Sequence, residues 1–277
     1  MKLPSNPRAV VTGAASGFGQ ALALRLASRR ARLVLADIDE AGLEQTASRA
    51  REAGSEVHVL RCDVREADQI EALAACADAE FGGTDLLVNN AGVAVAGPVG
   101  DVPLADWRWQ LEINLFGVIY GCHAFVPRMK AQGSGHILNV ASAAGLLCGA
   151  KMGPYSVSKA GVIALSETLY GELAHKGIGV SVLCPTFFRT NIHEGSRFSD
   201  DDLLKLTTKL VTKADWSAEQ IADHTLEAME RGDLIVIPQP DGRAMWRAKR
   251  LLGAGFHSWM NRIQQSPRLM RLLMRGS

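Results

Sequence analysis

Ala9-Val10-Val11-Thr12-Gly13-Ala14-Ala15-Ser16-Gly17-Phe18-Gly19 is the stretch from which the fold can be read. A short apolar run, Ala9–Thr12, breaks at three closely spaced glycines, and Gln20–Arg29 then carries a helical pattern. Gly13 allows a sharp turn off a strand, while Gly17 and Gly19 let backbone and ligand come together where a Cβ would clash. The start of the following helix offers free N–H groups and a partial positive charge, the combination that holds a pyrophosphate. Thr12–Gly19, with Ser16 and Phe18 inside it, is therefore a candidate dinucleotide cradle. The same residue types also serve plain strand–helix turns, so the rest of the chain has to support the reading.

It does so by alternation. Further strand-like runs are Leu33–Asp37, Val57–Cys62, Leu86–Asn89, Ile137–Val140, Val180–Cys184 and Leu234–Ile237. They are apolar on successive residues, as parallel strands covered by helices on both faces require. Helical patterns separate them at Glu40–Ala53, Ala67–Phe81, Asp106–Gln132, Tyr155–Lys176 and Ala218–Arg231. Strand alternating with helix predicts right-handed βαβ units, hence an α/β doubly wound parallel sheet. No linker, repeat or low-complexity tract interrupts the pattern before residue 240, which predicts one domain with a C-terminal extension.

Composition excludes the other classes. In 277 residues, 47% hydrophobic and 21% charged are ordinary globular values, not those of a disordered, collagen-like or disulfide-stapled chain. The longest uncharged stretches, 86–100 and 137–150, are too short for a membrane span and contain Asn, Ser and Gly. The polar start, Met1 to Arg8, predicts no signal peptide. Cys62, Cys76, Cys122, Cys148 and Cys184 are scattered and lack C-x-x-C spacing. They predict a reduced, cytoplasmic setting with no metal site, the thiols acting as small buried hydrophobes.

Asp37 ends the second strand, roughly twenty residues beyond the glycine turn, where a carboxylate accepts hydrogen bonds from the adenosine ribose and repels a 2′-phosphate. Ile38-Asp39-Glu40 follows with no base, so NAD is expected in preference to NADP. Asp39 suits the cap of the next helix better than Asp37 does. Asp63, at the end of the third strand, could reach an adenine amino group or cap the helix after Val64, and both remain open.

Tyr155-Ser156-Val157-Ser158-Lys159 places Tyr and Lys at i and i+4, on one face of a helix. Ser142 lies upstream, after the strand Ile137–Val140, and Asn114 interrupts an apolar helical run. A free phenol, with a pKa of about 10, transfers protons poorly at neutral pH. A nearby ammonium and an oxidised nicotinamide favour the phenolate and should lower that value. Tyr155 could then take the proton of an alcohol, with Ser142 holding the substrate oxygen and Lys159 the ribose hydroxyls. A surface Tyr–Lys pair would be commoner by itself; Ser142 and the glycine turn argue against it.

These motifs resemble the short-chain dehydrogenase/reductase family in its shorter, single-domain branch. The likeness runs over roughly residues 7–240 and rests on Thr12–Gly19, Asp63-Val64, Asn89-Asn90-Ala91-Gly92, Asn114, Ser142, Tyr155-xxx-Lys159 and the Pro185 segment. It implies a Rossmann sheet of seven strands in order 3-2-1-4-5-6-7 and NAD(P)-dependent alcohol/ketone chemistry. It puts Asn114 in a kinked helix, where its carbonyl would hold a water relaying protons from Lys159. It assigns Asn89, Ala91 and Gly92 to the adenosine side and to bracing the sheet. The family's loop against the nicotinamide is here Pro185-Thr186-Phe187-Phe188-Arg189-Thr190. Pro185 and Thr190 match, Thr186 replaces a Gly, and Phe188 stands at an aliphatic position, where its backbone could still meet the carboxamide. The two rings should narrow the pocket and make it apolar.

The expected pocket lining is Val93, Ala94, Val95, Leu146, Leu147, Met152, Thr186 and Phe187, with Asn191–Leu210 as a lid. It has no fixed cation apart from Arg189 and Arg197, either of which could be solvated. The substrate expected is a hydrophobic secondary alcohol or its ketone. An NADPH-dependent carbonyl reductase is the alternative that Asp37 opposes. A non-catalytic NAD-sensing protein would have lost Tyr155 or Lys159. The resemblance also implies a homodimer or homotetramer. His136 and His193 are read as structural or solvated.

The formal net charge of +1 conceals a split. From Gly242 onward there are eight basic residues and no acid, which leaves residues 1–241 at −7. Trp246, Leu252, Phe256, Trp259, Met260 and Ile263 recur at three- and four-residue steps, with Arg243, Arg247 and Arg250 on another face. After Pro267, Arg268, Arg271 and Arg275 continue the pattern. The chain thus divides into a catalytic domain, 1–241, and a basic amphipathic helical extension, 242–277. Docking on the acidic body or oligomer packing is the first expectation for this extension, peripheral contact with a membrane surface the second, and nucleic acid is not expected.

Overall fold

Alternate residues of the central strands feed two separate cores. In β1 (Arg8–Thr12), Ala9 and Val11 point to one face and Val10 to the other; in β2 (Arg32–Asp37), Leu33 and Leu35 oppose Val34. All six side chains are essentially inaccessible to water, which is why these strands are apolar at their central positions. The computed structural model describes residues 3–190, 192 and 195–264.

The remaining strands of the main sheet are β3 (Glu56–Arg61), β4 (Leu86–Asn89), β5 (Gly135–Val140), β6 (Ile178–Leu183) and β7 (Ile235–Val236). Every pairing is parallel, and the spatial order is β3-β2-β1-β4-β5-β6-β7, as the family resemblance implies. One face is covered by α1 (Gly17–Ala27), α2 (Glu40–Glu52) and α9 (Ala218–Arg231). The other is covered by α3 (Ala67–Phe81), α5 (Gly117–Gln132) and α7 (Gly153–Leu173). Local chemistry sets the helix ends. Asp39, not Asp37, caps α2 by accepting from Gly42 N, and Ser217 and Gln220 form a reciprocal capping box on α9.

Three features depart from a plain alternation. The long helix predicted over 106–132 is α4 (Leu104–Leu111) and α5 joined through a wide π-type turn, Glu112–Phe116, centred on Asn114. The segment read as a lid contributes Arg197–Phe198, which pairs in parallel with Val95–Ala96, and then α8 (Asp201–Thr212). Asn191, His193 and Glu194 of that segment lie outside the described residues.

The extension opens with α10 (Pro240–Leu252), followed by α11 (Gly255–Gln264). The first turn of α10 is set on the body, with buried Gly242 against Thr186 and Ile237. Its apolar face is divided: Trp246 packs on the core and Phe256 is buried, whereas Leu251, Leu252 and Trp259 are exposed. Pro267 to Arg275, where the sequence continues the pattern, lies outside the described residues. No described helix is long and apolar enough to cross a membrane.

Candidate active site

The carboxyl ends of β1, β2, β4, β5 and β6 carry, in turn, the glycine turn, Asp37, Asn90-Ala91-Gly92, Ser142 and Pro185, so the topology gathers them along one edge of the sheet. At that edge Gly13 and Gly17 have φ of 65° and 56°, which only glycine adopts at little cost. A Cβ on Gly19 would lie 2.1 Å from the Gly13 carbonyl oxygen, so the turn can close only with glycine there. Ser16 precedes α1 without a side-chain cap, and the first turn of α1 holds no acid. Its amides are therefore left to an anion, which fits the pyrophosphate of a dinucleotide.

Asp37 is fixed beside this turn. One carboxylate oxygen accepts from Ala15 N at 2.9 Å, and the other accepts from Ile38 N and Asp39 N at 2.7 and 3.1 Å. Two residues quoted within the motifs, but given no role of their own there, bind the cradle to β4. Asn90 Nδ2 donates to the carbonyls of Thr12 and Gly13, both at 2.9 Å, and Thr12 Oγ1 accepts from Asn90 N and Ala91 N. The available signal was their adjacency to Gly13 and Asn89, which does not say where their side chains point.

Asn89 braces the sheet, as expected of it: its side chain is buried against α5 and donates to Asn139 Oδ1 at 2.9 Å. The strand alternates, and Asn90 takes the side toward the cradle. Asp63 departs from the reading as a cap: the residue before α3 is Glu66, and the Asp63 carboxylate is held by the backbone N and guanidinium of Arg65. That pairing holds the Asp63 carboxyl below its usual range, so an adenine amino group would share this carboxylate with Arg65. Val64 packs its side chain against Gly117.

Ser142 caps α6 (Ala143–Leu147), its Oγ accepting from Ala144 N at 3.1 Å, and its hydroxyl is near enough to the Tyr155 phenol to favour the ionised form. Tyr155 stands in the first turn of α7 and Lys159 in the next. The Lys159 ammonium donates to Val140 O at 2.8 Å and lies 5.8 Å from the Tyr155 ring centre. Asn114 is wholly buried: its Nδ2 donates to Val93 O and its Oδ1 accepts from Val93 N, at 2.8 and 2.9 Å. Gly92 separates the two polar groups, since a Cβ there would lie 3.3 Å from Asn114 Oδ1 and 3.4 Å from Lys159 Nζ. Ser158, likewise quoted without a role, accepts from Gln110 and Asn114 and donates to Tyr155 O at 2.8 Å. It joins the π-type turn to the Tyr–Lys helix.

The electrostatics correct one expectation. In the protein by itself burial pushes the Tyr155 phenol up, and the Ser142 hydroxyl pulls it back only in part. Burial also lowers Lys159 to about 8. Lys159 is directed at Val140 and not at the phenol oxygen, so the lowering of Tyr155 has to come with the cofactor and substrate.

The Pro185 loop is held by the residue that precedes α10. Gln239, nearly inaccessible, accepts from Thr186 N at 3.1 Å and donates to Phe187 O at 3.4 Å, while Pro185 O accepts from Ala143 N. Thr190 lies across from Gly17, its Oγ1 2.8 Å from where a Cβ on that glycine would stand. Only one of the two rings faces outward. Phe187 is 50% exposed, whereas Phe188 packs into the core on the α1 and α9 face. On the opposite wall, Lys249 of α10 donates to Leu146 O of α6 at 2.6 Å.

Leu146, Leu147, Met152 and Thr186 are part-buried beside these groups, but Ala94 and Val95 are withdrawn by the ladder to Arg197–Phe198. A separate cavity of about 450 Å³ opens there, lined by Val95, Val102, Phe198, Asp106 and Asp200 among others, and it touches neither Ser142 nor Tyr155. Arg197 is not free: it stacks 3.8 Å from the Trp109 ring centre and pairs with Asp106 at 2.5 Å. Arg189 donates to Ala214 O. His136 is buried beside Ser181, and burial lowers it to about 4.

Comparison with known proteins agrees with this arrangement. Residues 7–200 match the family model described as short chain dehydrogenase. A short-chain dehydrogenase/reductase from Burkholderia phymatum, solved in complex with NAD, superposes with a TM-score of 0.85 at 37% identity, covering 89% of this chain and 94% of that one. Cis-4-hydroxycyclohexanecarboxylate dehydrogenase of Sinomonas cyclohexanicum is 42% identical over 189 residues, 68% of this chain and 75% of that protein. The Mycobacterium tuberculosis protein named "Probable oxidoreductase EphD" is 33% identical over 257 residues, and the match takes in 90% of this chain but 43% of that longer protein. The chain belongs to the short-chain dehydrogenase/reductase family.

Proposed function

We propose that the protein interconverts a hydrophobic secondary alcohol and its ketone with NAD as the hydride carrier. The observation that carries this reading is Tyr155, one helical turn from Lys159, at the same sheet edge as Ser142, the glycine turn and Asp37. NAD, when bound, supplies the hydride acceptor and a positive charge at the nicotinamide ring. The uncapped amides of α1 would hold its pyrophosphate, and the Asp37 carboxylate would accept the ribose hydroxyls and repel a 2′-phosphate.

Ser142 Oγ orients the substrate oxygen beside the phenol, and Tyr155 accepts the hydroxyl proton as the alcohol is oxidised. Lys159, held by Val140 O in the protein by itself, would reach toward the ribose and favour the phenolate once NAD is bound. Asn114, locked to Val93 through both side-chain atoms, keeps the π-type turn open next to Lys159, where a water-borne proton can pass. In the reverse direction Tyr155 donates the proton.

Substrate polarity follows from the walls. Leu146 and Leu147 lie in the helix that Ser142 caps, Met152 just before the helix of Tyr155 and Phe187 in the Pro185 loop, and two arginines of the surrounding segments are committed, Arg197 to Trp109 and Asp106 and Arg189 to Ala214. A cyclic alcohol, as in the name of the Sinomonas relative, suits such walls; the carboxylate in that name would find no uncommitted arginine between them. The test is initial rates with NAD over a panel of secondary alcohols, from alicyclic and aromatic to phosphorylated and carboxylated. Fastest turnover on apolar members is expected. Fastest turnover on charged small metabolites would overturn the substrate class.

A further inference from the structure

We infer that the corner between α10 and α11 is a docking surface for an anionic lipid bilayer. Leu251, Leu252, Gly253, Ala254 and Gly255 are five consecutive uncharged residues, and every one of them is exposed. Leu251 is 87% exposed and Leu252 48%, at the turn between the two helices; Trp259 follows on α11 at 39%. An exposed leucine by itself is commonplace. A turn that exposes two adjacent leucines and carries no polar side chain is not explained by packing, because Trp246 and Phe256 are the side chains here that turn inward.

The charges around the turn choose the partner. Arg247, Lys249 and Arg250 precede it and Arg262 follows, and no acid occurs anywhere from Gly242 to the end of the sequence. Arg247, Arg250 and Arg262 are exposed, Arg250 lying over the Trp246 ring. A protein partner would need a pocket shaped to two leucines on a glycine-flanked turn. A bilayer interface accepts apolar side chains without shape, while its anionic headgroups meet the surrounding cations. Trp259 is of the residue type that settles at the boundary between the two.

The position of the corner adds to this. Lys249, two residues before the turn, donates to Leu146 O in the helix that starts at Ser142. A membrane held by Leu251 and Leu252 would therefore lie along the α6 side of the cleft, where an apolar substrate dissolved in the bilayer could enter. That last consequence rests on the proposed function; the docking itself does not.

The test is co-sedimentation of the full chain with vesicles of phosphatidylcholine alone and of phosphatidylcholine mixed with phosphatidylglycerol, at low and high salt. Binding to the mixed vesicles, weakened by salt and nearly absent on phosphatidylcholine, is expected. Leu251→Ser with Leu252→Ser should weaken binding by about tenfold or more, given what burying each leucine contributes. Arg247→Gln with Arg250→Gln should weaken it at low salt only. Thermal unfolding of each variant, expected to match the parent, shows that the fold is intact. Equal binding to both vesicle types, no binding to either, or undiminished binding by the leucine variant would overturn the inference. A leucine variant that changes oligomeric mass without vesicles, in a protein that binds none, would assign the corner to a second copy of the chain instead.

Discussion

Lys159 Nζ donates to the carbonyl of Val140 at 2.8 Å, so the cation of the Tyr–Lys helix is anchored to the strand that leads to Ser142. Its cost can be measured. Burial moves Lys159 from 10.5 to about 8, so between these values the unfolded chain binds more protons and stability rises with pH. Below about pH 8 both states are charged and the full penalty stands. Lys159→Met should therefore be more stable than the parent at pH 7, by up to about 3 kcal/mol, and lose that advantage as pH approaches 10.5. Chemical unfolding across this range checks it. A difference that does not change with pH would show that Lys159 is not desolvated.

Asp37→Asn keeps an acceptor for Ala15 N and removes the charge. The ratio of NAD to NADP affinity should fall about tenfold to a hundredfold, the worth of hydrogen bonds to a charged group together with the lost repulsion. Titration with both cofactors checks this. An unchanged ratio would mean that the ribose is recognised elsewhere.

Two glycines should respond in opposite directions. Gly19→Ala forces a Cβ to within 2.1 Å of Gly13 O, and a loss of several kcal/mol with loss of NAD binding is expected. Gly171, exposed within α7, has nothing within 4 Å of its added Cβ, and Gly171→Ala should raise stability by about 1 kcal/mol. Thermal unfolding of both variants distinguishes a spatial requirement from general intolerance of side chains.

How far the chain could be read in advance follows from these same residues. The strands were legible because burial on two faces makes their central positions apolar, whereas the strand order came with the family resemblance, since right-handed βαβ connections allow more than one order. Gly13, Gly19, Ser142, Tyr155 and Lys159 were legible because local spacing alone constrains them. Asn89 and Asn90 were not distinguishable, since which of two adjacent strand residues faces the cradle depends on the register of β4. The outward Phe187 and inward Phe188 could not be told apart either, because Gln239, over fifty residues away, sets that loop. The Arg65–Asp63 pair is a local competition between cap and ion pair that residue types leave open.

Gln239→Leu should expose that dependence. It leaves Thr186 N without its acceptor, a loss of about 1 kcal/mol or more, and frees the loop beside the nicotinamide site. We expect a raised KM for NAD, a smaller change in kcat, and recovery of much of the loss in Gln239→Glu, which retains the acceptor oxygen. Equal losses in the two variants would make the contact merely space-filling.

The central claim is that Tyr155 is the proton-transfer group of an NAD-dependent oxidoreductase. Tyr155→Phe removes one oxygen from a half-buried ring and little else. NAD affinity and alcohol turnover, measured on the same preparation of this variant, test the claim most directly. The account predicts NAD binding within about twofold of the parent, since the phenol contributes at most one hydrogen bond to it, together with turnover reduced to background. Turnover that survives the substitution would contradict it.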